Sequence, residues 1–243
     1  KSCPALVPSA NFAVVIAYGR LLPPELIALF PRGIINVHPS LLPLWRGPSP
    51  VQAAIAHGDT VSGVTIMKID AQMDHGPLLA QKEIPFDVAE TFQSFMKKVV
   101  AVSGPFLVDT LKKFAQGTIV SQEQVHEKAT VCRLLTRDDG HINWQQPAKQ
   151  IERMVRAYQP WPGTWTLCKH KQKTVRLKIL SSAIFSHPSA HASGILFEQE
   201  GRLLVTTSDQ AFEIIRLQLE GKEPMLAAAF LSGYAELLGS KLS

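Results

Sequence analysis

Asn36 and His38 stand two residues apart at the end of an apolar run, in the stretch INVHPSLLPLWRG that runs from Ile35 to Gly47. A β-strand points alternate side chains to opposite faces, so the amide and the imidazole share one side if the strand extends through both. Asp74, in DAQMDHGP, is the third candidate, because its loop follows another strand-like run whose carboxyl end should open on the same edge of the sheet. A carboxylate beside an imidazole raises its pKa and fixes its orientation, and an asparagine amide can donate to a carbonyl oxygen that gains negative charge. These are the parts for acyl transfer to an amine without a covalent enzyme intermediate. The same residue types also suit plainer roles, since Asn and Asp-His-Gly are common turn formers and a His beside Pro is common in loops. Ser40 and Ser49 sit in no G-x-S-x-G elbow, and His38, His57 and His75 have no H-x-x-x-H or cysteine partner. A serine nucleophile and a metal site are therefore set aside.

The elements around these residues read as two textures. FAVVIAY, Phe12 to Tyr18, is a continuous run of β-formers, as in a strand buried on both faces of a parallel sheet. PPELIALFPRG gives a short proline-started helix before the strand GIINVH, and PSPVQAAIAHG, Pro48 to Gly58, has helical spacing with a terminal glycine. SGVTIMKID and LLAQKEI read as strands flanking the Asp74 loop. Glu90 to Gly117 reads as helical, with Phe92, Phe95, Met96, Val99, Leu107, Leu111 and Phe114 at three- and four-residue steps and a kink or break expected at Gly104-Pro105. Strand and helix alternation predicts a three-layer α/β domain over residues 1–117. The polar, irregular stretch 118–146 is expected to be a surface linker. A short helix at Ala148 to Tyr158 opens a third segment, 147–243, whose short strands (TWTLCK, VRLKILSSAIF, SGILFEQ, RLLVTT, AFEIIRLQL) predict a small antiparallel sandwich or barrel, an OB-like barrel among the options.

Composition bounds the partners. With 243 residues and 46% hydrophobic content the chain can bury a substantial core. The three cysteines, Cys3, Cys132 and Cys168, are widely spaced and odd in number, which suggests neither a disulfide framework nor a zinc site. Of the 25 Lys and Arg and 20 Asp and Glu, residues 147–243 hold twelve basic and eight acidic, against thirteen and twelve in residues 1–146. Most of the excess is in CKHKQKTVRLK, where Lys169, Lys171, Lys173, Arg176 and Lys178 occur without an acid. That run is either a solvated hairpin or a nucleic-acid surface.

AYGRLLPPELI, GIINVHPSLLPLWRGPSPVQAAIAHGD, SGVTIMKIDAQMDHGPLLAQ and INWQQPAKQIERMVRAYQPWPGTW, which together with their surroundings cover most of the chain, resemble the methionyl-tRNA formyltransferase family. The Asn-x-His and Asp-loop elements are shared by the wider folate-dependent formyltransferases. RGPSPVQAAI and the INW…PWPGTW segment favour the tRNA enzymes more specifically. The resemblance implies a Rossmann-like catalytic domain, N-terminally incomplete, followed by an OB-like tRNA-binding domain. It implies transfer of the formyl group of 10-formyltetrahydrofolate to the α-amino group of methionine on initiator tRNA, with no metal. Asn36, His38 and Asp74 match the family's catalytic positions: Asn36 and His38 would stabilise the oxyanion, protonated His38 would help the folate N10 depart, and Asp74 would support its charge and help remove the amine proton. Ser40, Leu41, Leu42 and Pro43 match a folate-contacting segment, and Tyr18, Met73, His75, Gly76 and Pro77 would line the same pocket. Lys169, Lys171, Lys173, Arg176 and Lys178 would grip tRNA, while Arg46 is read as an anchor of its own loop. The resemblance implies the bacterial cytoplasm, with a mitochondrial enzyme as the alternative. Rival readings are a formyltransferase acting on an amino sugar or purine precursor, and a non-catalytic RNA-binding relative. Because the family has strand-helix units before FAVVIAY, the chain is expected to be the C-terminal portion of a longer enzyme, weakly active alone and prone to self-association through an exposed strand edge.

Overall fold

The computed structural model describes residues 10–171, 173–188 and 192–243, the side chains of His187 and Pro188 excepted; Cys3 lies outside them. Two compact units are present. The first takes in the described residues up to Ala54, then Asp59–Val88 and Ser94–Leu134; the second takes in Ile55–Gly58, Ala89–Gln93 and Leu135–Ser243. Residues 118–146 are thus divided at Leu134 rather than forming a tether. The reason is burial: Gln124 and Cys132 are interior to the first unit, and Ile142 and Trp144 belong to the core of the second.

In the first unit, strands β1 (Ala13–Ile16), β2 (Ile34–His38), β3 (Val61–Lys68) and β4 (Leu78–Pro85) form one sheet in that order. β1 and β2 are parallel, whereas β3 and β4 run antiparallel to their neighbours. The short helix α1 (Pro24–Ala28) crosses between the parallel pair, and α2 (Pro50–His57) follows β2. β1 differs from its sequence expectation of burial on both faces. It pairs with β2 alone among the described strands, and its residues alternate, with Val14 38% and Ile16 59% exposed. Of the kink or break expected at Gly104-Pro105, the break does not occur: helix α3 (Phe92–Ala115) continues through it. Proline's fixed φ is helical, so the helix can continue, although Pro105 forfeits the bond its N–H would have made and its ring crowds the carbonyl one turn back.

In the second unit, helix α4 (Ala148–Tyr158) buries Ala148, Ile151 and Val155 at helical spacing. β5 (Thr164–His170), β6 (Lys173–Pro188), β7 (Leu196–Gln199), β8 (Arg202–Thr206) and β9 (Gln210–Leu219) form an antiparallel sheet in the order β5-β6-β9-β8-β7, and β10 (Met225–Leu226) pairs with β9. Bulges in β6 at Ile179–Ser182 let a 16-residue strand bend. A single apolar cluster, including Leu177, Ile179, Phe212 and Leu217, fills the interior with Phe230 of helix α5 (Ala227–Gly233).

Candidate active site

β2 carries both residues of the opening pair, and Asn36 and His38 line one cavity of about 660 Å³ in the first unit. Asp74 lines it too, but by a different route from the one its sequence suggests. β3 is antiparallel to β2, with Lys68 opposite Ile35, so the carboxyl end of β3 lies beside the amino end of β2 rather than at a shared edge. The loop after β3 is long enough to return. Its ends are tied by Lys68 N–H donating to the Pro77 carbonyl (2.9 Å), and Asp74 comes within 3.5 Å of His38, Oδ2 to Nδ1.

Three consecutive residues of the loop after β2 hold this pair. The Trp45 carbonyl is 3.0 Å from His38 Nε2, and since a carbonyl only accepts, Nε2 carries the hydrogen and the Nδ1 lone pair faces Asp74. The Gly47 amide donates to Asp74 Oδ2 at 2.9 Å. Between them Arg46, 9% exposed, donates through Nε (3.1 Å) and Nη2 (2.7 Å) to Gln124 Oε1. Gln124 in turn donates to the Asp74 carbonyl (2.9 Å) and the Gly76 carbonyl (2.8 Å). Gly47 has to be glycine: its φ is +110°, and a Cβ there would lie 2.2 Å from the Cys132 carbonyl oxygen.

His38 is 4% exposed, and burial pushes its imidazole below the ordinary value, against the opposing effects of the Asp74 carboxylate and the Trp45 carbonyl. The expectation that the neighbouring carboxylate would leave the imidazole pKa raised is thus reversed, because desolvation of a ring this deep outweighs one carboxylate at 3.5 Å. Burial likewise pushes the Cys132 thiol up, so the sulfur beside the Arg46 carbonyl (3.2 Å) stays protonated. The Asn36 carboxamide and Asp74 Oδ1 make no hydrogen bond among the described residues, leaving a donor and an acceptor open to the cavity.

Tyr18 and Met73, 58% and 46% exposed, line the same cavity. Ser40, Leu41, Leu42 and Pro43 do not. The Ser40 hydroxyl donates to the Leu44 carbonyl (2.6 Å), and the Leu42 amide donates to Thr65 Oγ1 (3.1 Å), so this segment shapes the loop from behind. His75, Gly76 and Pro77 also lie off the lining. His75 Nδ1 is 2.6 Å from Asp70 Oδ2 and its ring stacks on His126, while Gly76 presses against the Lys68 carbonyl, where a Cβ would come within 2.1 Å. Sequence reading missed Gln124, which carries no motif, and the cavity-lining Met96, Val99 and Leu107, whose helical spacing reads simply as core.

The basic run occupies β5, β6 and the turn between them in the second unit. Lys169, Lys171, Lys173, Arg176 and Lys178 are all exposed, and Arg176 lies over the Trp165 ring at 4.2 Å. Among the described residues no three His, Cys, Asp or Glu converge as metal ligands, and no helix is long and apolar enough to cross a membrane.

Comparison with known proteins gives the architecture a family. A model of the formyl transferase family matches residues 7–111, and a model of the formyl transferase C-terminal domain matches residues 134–235. The methionyl-tRNA formyltransferase of Roseiflexus sp. (strain RS-1) is 42% identical over 233 residues, 96% of this chain and 70% of that protein. That of Treponema pallidum (strain Nichols) is 38% identical over 229 residues, 94% of this chain and 72% of its own. Among solved structures, HypX from Aquifex aeolicus in complex with tetrahydrofolic acid superposes with a TM-score of 0.66 at 18% identity, covering 94% of this chain and 39% of that one. The sugar 3N-formyltransferase WlaRD gives 0.64 at 17%, covering 87% and 73%. The structural likenesses carry the fold alone, but the sequence identities, extending through both units, carry more: the chain belongs to the methionyl-tRNA formyltransferase family.

Proposed function

We propose that the cavity receives 10-formyltetrahydrofolate and that Asn36, His38 and Asp74 move its formyl group to the α-amino group of methionine esterified to initiator tRNA. The observation that carries this reading is the convergence of the three on one cavity, with an unpartnered amide donor and a carboxylate oxygen left open. A volume of about 660 Å³ with apolar walls suits a folate-sized molecule. In the transfer a bond forms between the amine nitrogen and the formyl carbon, and the bond from that carbon to N10 breaks. The Asn36 amide donates to the formyl oxygen as it gains charge. Asp74 Oδ1 takes the amine's proton, directly or through a water. His38, neutral when the site is at rest, can accept a proton at Nδ1 from Asp74 and supply it to the departing N10, so no net proton remains on the enzyme.

The exposed cations of the β5–β6 hairpin supply phosphate contacts for the tRNA, with Trp165 and Arg176 as a stacked pair beside them. The bacterial origin of the methionyl-tRNA formyltransferases that the chain resembles supports a bacterial cytoplasmic location over a mitochondrial one.

The test is to incubate the protein with 10-formyltetrahydrofolate and methionyl-tRNA and measure formylmethionine, in parallel with His38→Ala and Asn36→Ala. Both variants should fold and lose turnover by orders of magnitude. A His38→Ala protein with near-normal turnover would sink the assignment. Formylation of an amino sugar nucleotide in preference to methionyl-tRNA would sink the acceptor. With His38 resting below its ordinary value of 6.5, turnover should fall only as pH drops beneath that value.

A further inference from the structure

We propose that Gln124 is a positioning residue of the active site, clamping the Asp74 loop to the Trp45–Arg46–Gly47 segment so that the carboxylate stays against His38. The inference rests on the reading of Asp74 as the proton acceptor.

Gln124 is 4% exposed and every hydrogen-bonding function of its carboxamide that the site engages points at the catalytic loops. Its orientation is fixed chemically. The guanidinium of Arg46 has only donors to offer and so faces Oε1, and the Asp74 and Gly76 carbonyls only accept and so face Nε2. Asp74 itself has φ +49°, the left-handed region that a non-glycine residue keeps only when its surroundings hold it there. Two carbonyl bonds from Gln124, one on Asp74 and one on Gly76, supply that hold from the backbone side; the Gly47 amide supplies it from the carboxylate side. Behind the clamp, Arg46 Nη2 also bonds His126 Nδ1 (2.8 Å), and the His126 ring stacks on His75, whose Nδ1 is paired with Asp70. The segment carrying Gln124 is therefore joined directly to Asp74, His75 and Gly76, and through His75 to Asp70. The charged or titratable groups in this cluster are His38, Arg46, Asp70, Asp74, His75, His126 and Cys132; Gln124 alone is neutral at every pH and able to donate and accept together, which is what a clamp between a guanidinium and two carbonyls requires.

The test uses Gln124→Ala and Gln124→Glu, each alone and combined with Asp74→Asn, in the formylation assay. Gln124→Glu keeps the volume and the Arg46 contacts but removes both N–H donors. Each single variant should lower kcat about 10- to 100-fold, as expected when a reacting group is displaced by a fraction of an ångström to one ångström, with KM for both substrates within about twofold of wild type. The low-pH limb should move further down, as in Asp74→Asn, because a displaced carboxylate supports the His38 proton less. Combined with Asp74→Asn, either variant should add less than about twofold, since it acts through a carboxylate already lost. Multiplicative losses in the double variants, an unshifted pH limb, a change confined to KM, or failure of both single variants to fold would each overturn the proposal. If instead wild type turns over normally and Asp74→Asn is harmless, the catalytic reading itself fails, which is a separate outcome.

Discussion

In the second unit the buried cluster that includes Ile142, Phe212, Leu217 and Leu242 is apolar, and the buried polar side chains of its strands are threonines. Thr164 donates to the Ile179 carbonyl across the β5–β6 pair, and Thr166 donates to the Ser243 carbonyl while accepting from Trp144 Nε1. In the first unit the interior holds His38, Ser40, Arg46, Ser49, Thr65 and Gln124. Around the cavity several bonds join segments far apart in the chain: Gly47 reaches Asp74 over 27 residues, Gln124 reaches it over 50, and Arg46 reaches Gln124 over 78. Both units have apolar interiors, with Ile35, Ile66, Leu79 and Phe114 clustered in the first, but the first also buries a set of directional bonds around its cavity, each needing its own partner. The contrast teaches where function is stored, because a reaction needs groups held at fixed distances and area alone fixes none.

The largest effects should come from exchanging the two kinds of damage. Phe212→Ala, in the apolar cluster, should cost about 3–5 kcal/mol of stability, as expected for truncating a fully buried aromatic. Asn36→Ala should leave the thermal midpoint nearly unchanged and reduce kcat about 10²- to 10³-fold. Thermal unfolding and steady-state turnover measured on both variants give the answer. A destabilised Asn36→Ala with intact turnover per folded molecule would erase the distinction.

Gly47→Ala comes next, because it strikes bonding and packing together. The added methyl meets the Cys132 carbonyl at 2.2 Å and imposes φ +110° on a residue with a side chain, for a cost of roughly 1–3 kcal/mol. Relief of that contact must move the amide that holds Asp74 Oδ2, so turnover should fall at least about tenfold in the protein that remains folded. Stability loss with unchanged kcat would mean that the amide is not needed to hold the carboxylate.

Smaller again is the expected effect of the exposed cations. Lys169→Ala, Lys171→Ala and Lys173→Ala together should weaken tRNA binding and flatten its dependence on salt, by at most about two to three units in the log–log slope, while leaving folate affinity alone. An unchanged slope would make the hairpin a solvated surface.

The same contrast explains what could be read from sequence. In the second unit, alternation in TWTLCK marks β5 because side-chain burial there follows a local period, while RLLVTT and AFEIIRLQL mark β8 and β9 as short runs of β-formers whose burial does not strictly alternate. The two-residue strand β10 and helix α5 escape that reading, being too short or too uniformly small in their residues to show a period. In the first unit, Asn36 and His38 are legible because they share a strand. Asp74 is legible as a residue type, yet its approach to His38 follows from a returning loop and not from strand direction. Gln124 is illegible in principle: a glutamine among VSQEQVHEK has no period or motif, and only the distant carbonyls of Asp74 and Gly76 give it meaning.

The smallest prediction concerns a long-range polar contact of the second unit. Helix α4 begins after Pro147, which offers no side-chain cap, and the Ala148 amide instead donates to Oδ1 of Asp209 at 2.9 Å, from 61 residues away. The Thr207 hydroxyl donates to the same oxygen. A helix start capped in this way should lose about 1 kcal/mol in Asp209→Ala, with Asp209→Asn, which keeps an acceptor, losing less. The charge gives the effect a pH signature. Slight burial would raise the Asp209 pKa, but hydrogen bonds from Ala148, Thr207 and Gln210 outweigh it and hold the carboxyl below its ordinary 3.8. A folded-state value below the unfolded one means the contribution is complete above about pH 3.8 and disappears as pH falls through the folded value. The stability gap between wild type and Asp209→Asn should therefore be constant from pH 7 down to about 5 and close below pH 3.8. Thermal melts across that range decide it: a gap that persists to pH 2.5 would mean that the asparagine loses stability by misfitting the turn, and that the carboxylate charge at the start of α4 contributes nothing.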